Sequence, residues 1–236
     1  MKQIFSLIAT GVVVGLHWIT FFYSIKVSTV SIAVVCLSAS TLFTSFLEPI
    51  VFKRPYLWSE FVLSIAVLAG IVAIFGFEAS YAWGIVLGLF SALFSSLFNT
   101  MNGSFVKRMP SQTIAKYEMF GGFITAFIFL MVANETSSFT NGVSFNDWVY
   151  LIILAIVCTT FAFMTGIWVM KFLTPFSVSL STNIEPIYTI IIALLLDWFR
   201  GTTKEIMSVE FYIGAAIILV AIGVHAYFKT KKVKLE

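Results

Sequence analysis

Eight runs of this chain are long, apolar and nearly free of charge: residues 4–25, 31–52, 61–77, 81–101, 113–132, 148–170, 176–196 and 211–228. About 20 such residues, wound as a helix, match the hydrocarbon thickness of a bilayer. A helix also satisfies its own backbone hydrogen bonds where no water can. Membrane-barrel strands would instead show weak alternation over about ten residues. The expected fold class is therefore all-α: a polytopic transmembrane helical bundle of about eight helices. Of the 236 residues, 60% are hydrophobic and 11% charged, whereas soluble domains carry about 25% charge. A soluble enzyme, a disordered chain and a nucleic-acid binder are excluded together.

Charge placement predicts the threading. With the N-terminus in the cytoplasm, Lys2, Lys53, Arg54, Lys107, Arg108, Lys116, Lys171, Lys229, Lys231, Lys232 and Lys234 fall on the cytoplasmic side. Only Lys26, Arg200 and Lys204 fall opposite. Short loops rich in Lys and Arg stay inside, so both termini are expected in the cytoplasm and the chain in the cytoplasmic membrane. The first run follows Lys2 without a small-residue cleavage signature and reads as a retained span, not a signal peptide. Cys36 and Cys158 lie singly in apolar runs, so no metal site or disulfide framework is expected.

A broken internal repeat runs through the chain. Residues 25–31 resemble residues 170–176, each joining two apolar runs by a short turn, and in this register Ser38 faces Asn183 and Thr41 faces Pro186. A second register sets Leu47-Glu48-Pro49 against Ile184-Glu185-Pro186. Runs one to three then match runs six to eight, a shift of five spans. An odd shift threads each helix oppositely to its counterpart, the inverted-repeat construction of secondary transporters. Residues 1–78 would form a partial first repeat of three helices, and 79–236 a second of five.

Several stretches resemble bacterial EamA-type permeases of the drug/metabolite transporter superfamily. They are His17-Trp18 through Leu47-Glu48-Pro49 and Phe52-Lys53, then Trp83-Gly84 to Asn102-Gly103, and Tyr117-Glu118. Asn183-Ile184-Glu185-Pro186-Ile187-Tyr188 and Phe211-Tyr212-Ile213-Gly214 complete the set. The resemblance implies a ten-helix architecture of two inverted five-helix units, of which this chain is expected to lack the first two helices. It further implies alternating-access transport of a small metabolite, an amino acid or related compound, with no cofactor. A chain clipped from a longer carrier and a natural short form that acts as a homodimer are both open.

Ionisable groups inside a bilayer cost roughly 2.5–3.5 kcal/mol on insertion scales, which singles out a few positions. Glu185 sits mid-run, with Thr182 near it on a helix surface and Asn183, Pro186 and Tyr188 close by. The group suits substrate binding or proton coupling, or else a structural bond to a neighbouring helix. His17 is a titratable side chain in the first run, and Trp18 beside it offers a stacking wall; packing serves equally for both. Asn99 and Asn102 end the fourth run, and Tyr117 and Glu118 open the fifth, as an inner gate or as capping groups at a hydrated interface. Glu48 is expected to snorkel beside Lys53. Trp83, Trp148 and Trp198 at run ends suit an aromatic belt. Gly11 and Gly15, and Gly84, Gly88, Ala92 and Ser96, form small-residue stripes for close helix approach.

No GxSxG, P-loop, HExxH or Rossmann glycine pattern occurs. A secondary transporter for a small metabolite, in contact with membrane lipid, is the expected function. An intramembrane lipid-modifying enzyme and a truncated, non-transporting scaffold are the alternatives.

Overall fold

The computed structural model describes residues 2–59, 79–133, 144–182 and 185–200, with single positions at 62–69 and 209–227. Every structural statement below concerns these described residues. The chain folds as α1 (Lys2–Val27), α2 (Val30–Leu37), α3 (Ser40–Phe52), α4 (Ala82–Phe105), α5 (Ser111–Ala133), α6 (Phe145–Ile153), α7 (Ala162–Val169), α8 (Pro175–Thr182) and α9 (Glu185–Arg200). A 3-10 turn at Ala79–Tyr81 precedes α4. Five stretches are long and apolar enough to cross a membrane: Lys2–Val27, Val30–Phe52, Ala82–Phe105, Ser111–Ala133 and Phe145–Val169. They overlie the first, second, fourth, fifth and sixth expected runs. The seventh run carries α8 and α9, and the third and eighth fall largely outside the described residues.

Two runs depart from a plain α-helix. The second tightens at its middle, where Ser38 N–H donates to Val35 O and Ala39 N–H to Cys36 O, three residues back instead of four. The sixth widens into a π-helical stretch, Leu154–Phe161, between α6 and α7, and there the Thr160 hydroxyl donates to Ala155 O, five residues back.

The burial pattern is that of a protein dissolved in hydrocarbon. On α5 the buried residues are Ser111, Ile114, Ala115, Glu118, Gly121 and Gly122, while Phe120, Phe123 and Phe127 point outward. Throughout the bundle Ser, Thr, Asn and Glu are found buried: Ser24, Thr41, Thr44, Glu48, Ser91, Ser96, Asn102 and Glu118 among them. In lipid an exposed Phe costs nothing and an exposed hydroxyl does, so polar groups turn inward and bond across helices. Ser24 Oγ donates to Gly84 O at 2.6 Å, joining α1 to α4, and Ser96 Oγ to Ser40 O at 2.6 Å, joining α4 to α3.

Glycine sets the closest crossings. α1 packs along both α4 and α5. At the α1–α5 crossing a Cβ on Gly11 would stand 2.8 Å from Glu118 Cα, and one on Gly121 would stand 2.8 Å from Gly11 Cα. Gly84 and Gly88 of the α4 stripe lie against Ser28 and against Cys36 and Ser24. The small-residue stripes are packing surfaces, as expected. Gly121 and Gly122, which complete the α1–α5 crossing, were legible only as a Gly-Gly pair inside an apolar run.

Both turns of the repeated segment end in the same device. Thr29 caps α2 by accepting from Ile32 N–H, and Thr174 precedes α8 and accepts from Ser177 N–H, each at 3.2 Å and three residues on. Thr29 and Thr174 are counterparts in the register that sets 25–31 against 170–176. The spans that follow these caps lie antiparallel. Moving up α3, Thr41 Oγ1 donates to Ser179 O, Thr44 Oγ1 meets Ser179 Oγ, and Glu48 meets Phe176 N–H, so ascending positions on α3 meet descending positions on α8. α2 packs against α9. In the register that sets 25–31 against 170–176, α2 corresponds to α8 and α3 to α9, so the α3–α8 and α2–α9 contacts correspond to each other.

Candidate functional site

The expected site residues divide between two places. His17 and Trp18 of α1, Asn102 of α4 and Glu118 of α5 belong to the packed helices α1, α4 and α5, in separate contacts: His17 with Ser91, Trp18 over Gly122, and Asn102 with Glu118. Thr182, Glu185 and Tyr188 lie on α8 and α9. Asn183 falls outside the described residues.

At the first place, His17 is bonded rather than free. Its Nδ1 stands 2.8 Å from Ser91 Oγ and 3.0 Å from Ser91 O, and the Ser91 hydroxyl reaches His17 O at 3.3 Å. A ring N–H donating to the Ser91 carbonyl, with the hydroxyl donating to the His17 carbonyl, satisfies the cluster. Phe21 and Phe98 flank the ring, with centroids at 6.0 and 5.5 Å. Trp18 closes over the α5 backbone, its ring 3.1 Å from where a Cβ on Gly122 would stand. Ser91 carries no sequence signal that would single it out among the serines of α4.

Asn102 and Glu118 are each 0% exposed, and Asn102 Nδ2 donates to Glu118 Oε2 at 3.0 Å. The reading of these two as capping groups at a hydrated interface is overturned. α4 continues to Phe105 and α5 begins at Ser111, so both side chains lie inside their helices and bond to each other. Glu118 is buried because its turn of α5 is pressed on Gly11 of α1. Asn99 donates to Ser95 Oγ within α4 at 3.4 Å.

At the second place, Glu185 is half-buried in the first turn of α9, whereas Thr182 and Tyr188 are exposed. Thr182 donates to Ser179 O in its own helix. These are the expected site residues whose polar atoms remain reachable.

Glu48 departs from expectation. It is 3% exposed, and its partner is Arg54 in place of Lys53, with Arg54 Nε donating to Oε1 at 3.2 Å. Lys53 ends α3 in the left-handed conformation, φ 52°, and this reversal carries the next side chain back over the helix end. The other carboxylate oxygen accepts Phe176 N–H at 2.8 Å, one of the unpaired amides at the start of α8. Between α3 and the segment after it, a recess of about 160 Å³ is lined by Ser45, Phe46, Tyr56, Leu57 and Trp58. Its walls are almost wholly apolar, and none of the expected site residues borders it.

Comparison with known proteins adds the lineage. Residues 82–227, more than half of the chain, match the model of the EamA-like transporter family. The chain belongs to the EamA-like transporter family. It is a multi-pass helical membrane protein of a transporter family, as the sequence resemblance implies. A search of curated proteins finds no match. Among solved structures, one titled "Crystal structure of protein" shares the fold at a TM-score of 0.64 and 17% identity, covering 94% of this EamA-like chain and 76% of its own.

Proposed function

We propose that this EamA-like protein is a secondary carrier that moves a small, amino-acid-like metabolite across the cytoplasmic membrane by alternating access, with both termini in the cytoplasm. The observation that carries the reading is the antiparallel pairing of α3 with α8, matched by the α2–α9 contact. Two like-built units threaded in opposite senses can rock about their shared interface, exposing a site between them to one side and then the other. The units are residues 1–78 and 79–236. No catalytic step is required.

Within this reading, the substrate meets the Glu185 side of the interface. His17 Nδ1 and Asn102 Nδ2 are already bonded to neighbours inside the bundle, whereas Glu185 is half-buried and Tyr188 exposed. A carboxylate there suits the ammonium of an amino-acid-like solute, with Thr182 and Asn183 as further polar contacts. Trp18 stays a packing residue over Gly122.

The test is counterflow of labelled metabolites into proteoliposomes, comparing the chain with Glu185→Gln. Exchange of at least one amine-bearing solute, abolished in a variant that still inserts and melts normally, is the expected result. Unchanged exchange by the variant removes Glu185 from the site. No exchange across the panel, for chains of any length that includes these residues, favours a scaffold or an enzyme instead.

A further inference from the structure

Where Asn102 of α4 meets Glu118 of α5, each helix being seated on α1, two buried oxygens have no hydrogen-bond partner among the described residues: Asn102 Oδ1 and Glu118 Oε1. They belong to two groups that already share one hydrogen bond, Asn102 Nδ2–H to Glu118 Oε2. An amide oxygen only accepts, and an ionised carboxylate only accepts, so with a charged Glu118 neither orphan can be satisfied by the other. One proton on Oε1 supplies the missing donor. The acid then donates to Asn102 Oδ1 while the amide donates back, and every polar atom of the pair is used.

The surroundings require the same proton. An unpaired ionised carboxylate in an apolar interior is costly enough that the group neutralises instead. No cation faces it. α4 and α7 contain no titratable residue. On α1, which covers Glu118 with Gly11, the titratable residues are Lys2, His17, Tyr23 and Lys26. Of these, Lys2 and Lys26 lie at the helix ends, and His17 is bonded to Ser91. On α5 itself Lys116 is exposed and lies over the Tyr117 ring at 5.8 Å. In the α4–α5 connection Lys107 lies over the Phe52 ring at 4.7 Å, and Arg108 is exposed.

We propose that Glu118 and Asn102 form a proton-binding site: a neutral acid–amide pair that holds its proton while α4 and α5 are both seated on α1, and yields it to water when that packing opens. This makes the proton the coupling ion of a carrier. That coupling role rests on the transport reading above; the occupancy of the site does not.

Infrared spectroscopy of the full chain in lipid nanodiscs tests the occupancy. At neutral pH, the spectrum of the wild type minus that of Glu118→Gln should contain a protonated-carboxyl C=O band, and the same band should survive in Glu185→Gln. Gln at 118 preserves the paired amide geometry, so this variant should melt with the wild type. Asn102→Ala retains the acid but removes its acceptor, and should shift the band to higher frequency. Absence of the band, its persistence in Glu118→Gln, or indifference to Asn102→Ala overturns the proposal. So does loss of the band on exchanging choline for sodium at constant pH, which would assign the site to a metal cation. A failed carrier reading would appear in counterflow and leave these spectra unchanged.

Discussion

The Glu48 carboxylate accepts the Phe176 backbone N–H at 2.8 Å, across 128 residues of chain. It joins the end of one span to the start of its antiparallel partner, and Arg54 balances its charge. A helix N-terminus carries unpaired amides and a partial positive charge, both of which favour a carboxylate.

Removing that carboxylate should loosen the α3–α8 contact. Glu48→Ala is expected to cost about 1.5–3 kcal/mol, the range for hydrogen bonds involving a charged group. Glu48→Gln should cost less, because its amide oxygen still accepts from Phe176 and only the charge is lost. Thermal melting of the purified variants in one detergent orders the three chains. Equal melting of Glu48→Ala and the wild type would show that the bond contributes nothing.

The α1–α5 crossing depends on missing side chains. Gly11→Ala or Gly121→Ala must push two backbones apart and should destabilise by about 1–3 kcal/mol. Gly166→Ala, on α7 with nothing within 4 Å of the added methyl, should be neutral or gain up to about 1 kcal/mol from helix propensity. The contrast between these positions, read in the same melt, separates a steric effect from a general effect of alanine.

The two threonine caps should behave alike. Thr29→Ala and Thr174→Ala each remove one side-chain acceptor from a helix start, at about 1 kcal/mol apiece. Hydrogen exchange should quicken at Ile32 in the first variant and at Ser177 in the second, leaving the other cap protected. Quickening at both caps in either variant would mean that the two starts are not independent.

Much of the site was hidden in the sequence for an identifiable reason. Glu118 stood out as a charge in an apolar run, but its depth depends on Gly11 of another helix, and without that the choice between gate and cap was open. His17 was visible while Ser91 was not, since one serine among several on α4 is distinguished only by the helix it faces. Lys53 is nearer to Glu48 along the chain, but its left-handed turn hands the contact to Arg54.

Hydropathy summed over about twenty residues is a property of the chain alone. The sequence therefore sufficed to establish the solvent, the helical class and the five spans seen among the described residues, and it offered the matching turns at Thr29 and Thr174. Which side chains meet was decided only by tertiary structure. In hydrocarbon every apolar face of a helix is nearly equally welcome, so rotation and crossing angle follow from glycine gaps and from interhelical bonds between polar residues far apart in sequence. Glu48 with Phe176, His17 with Ser91 and Glu118 against Gly11 exist only once the helices have been set against one another.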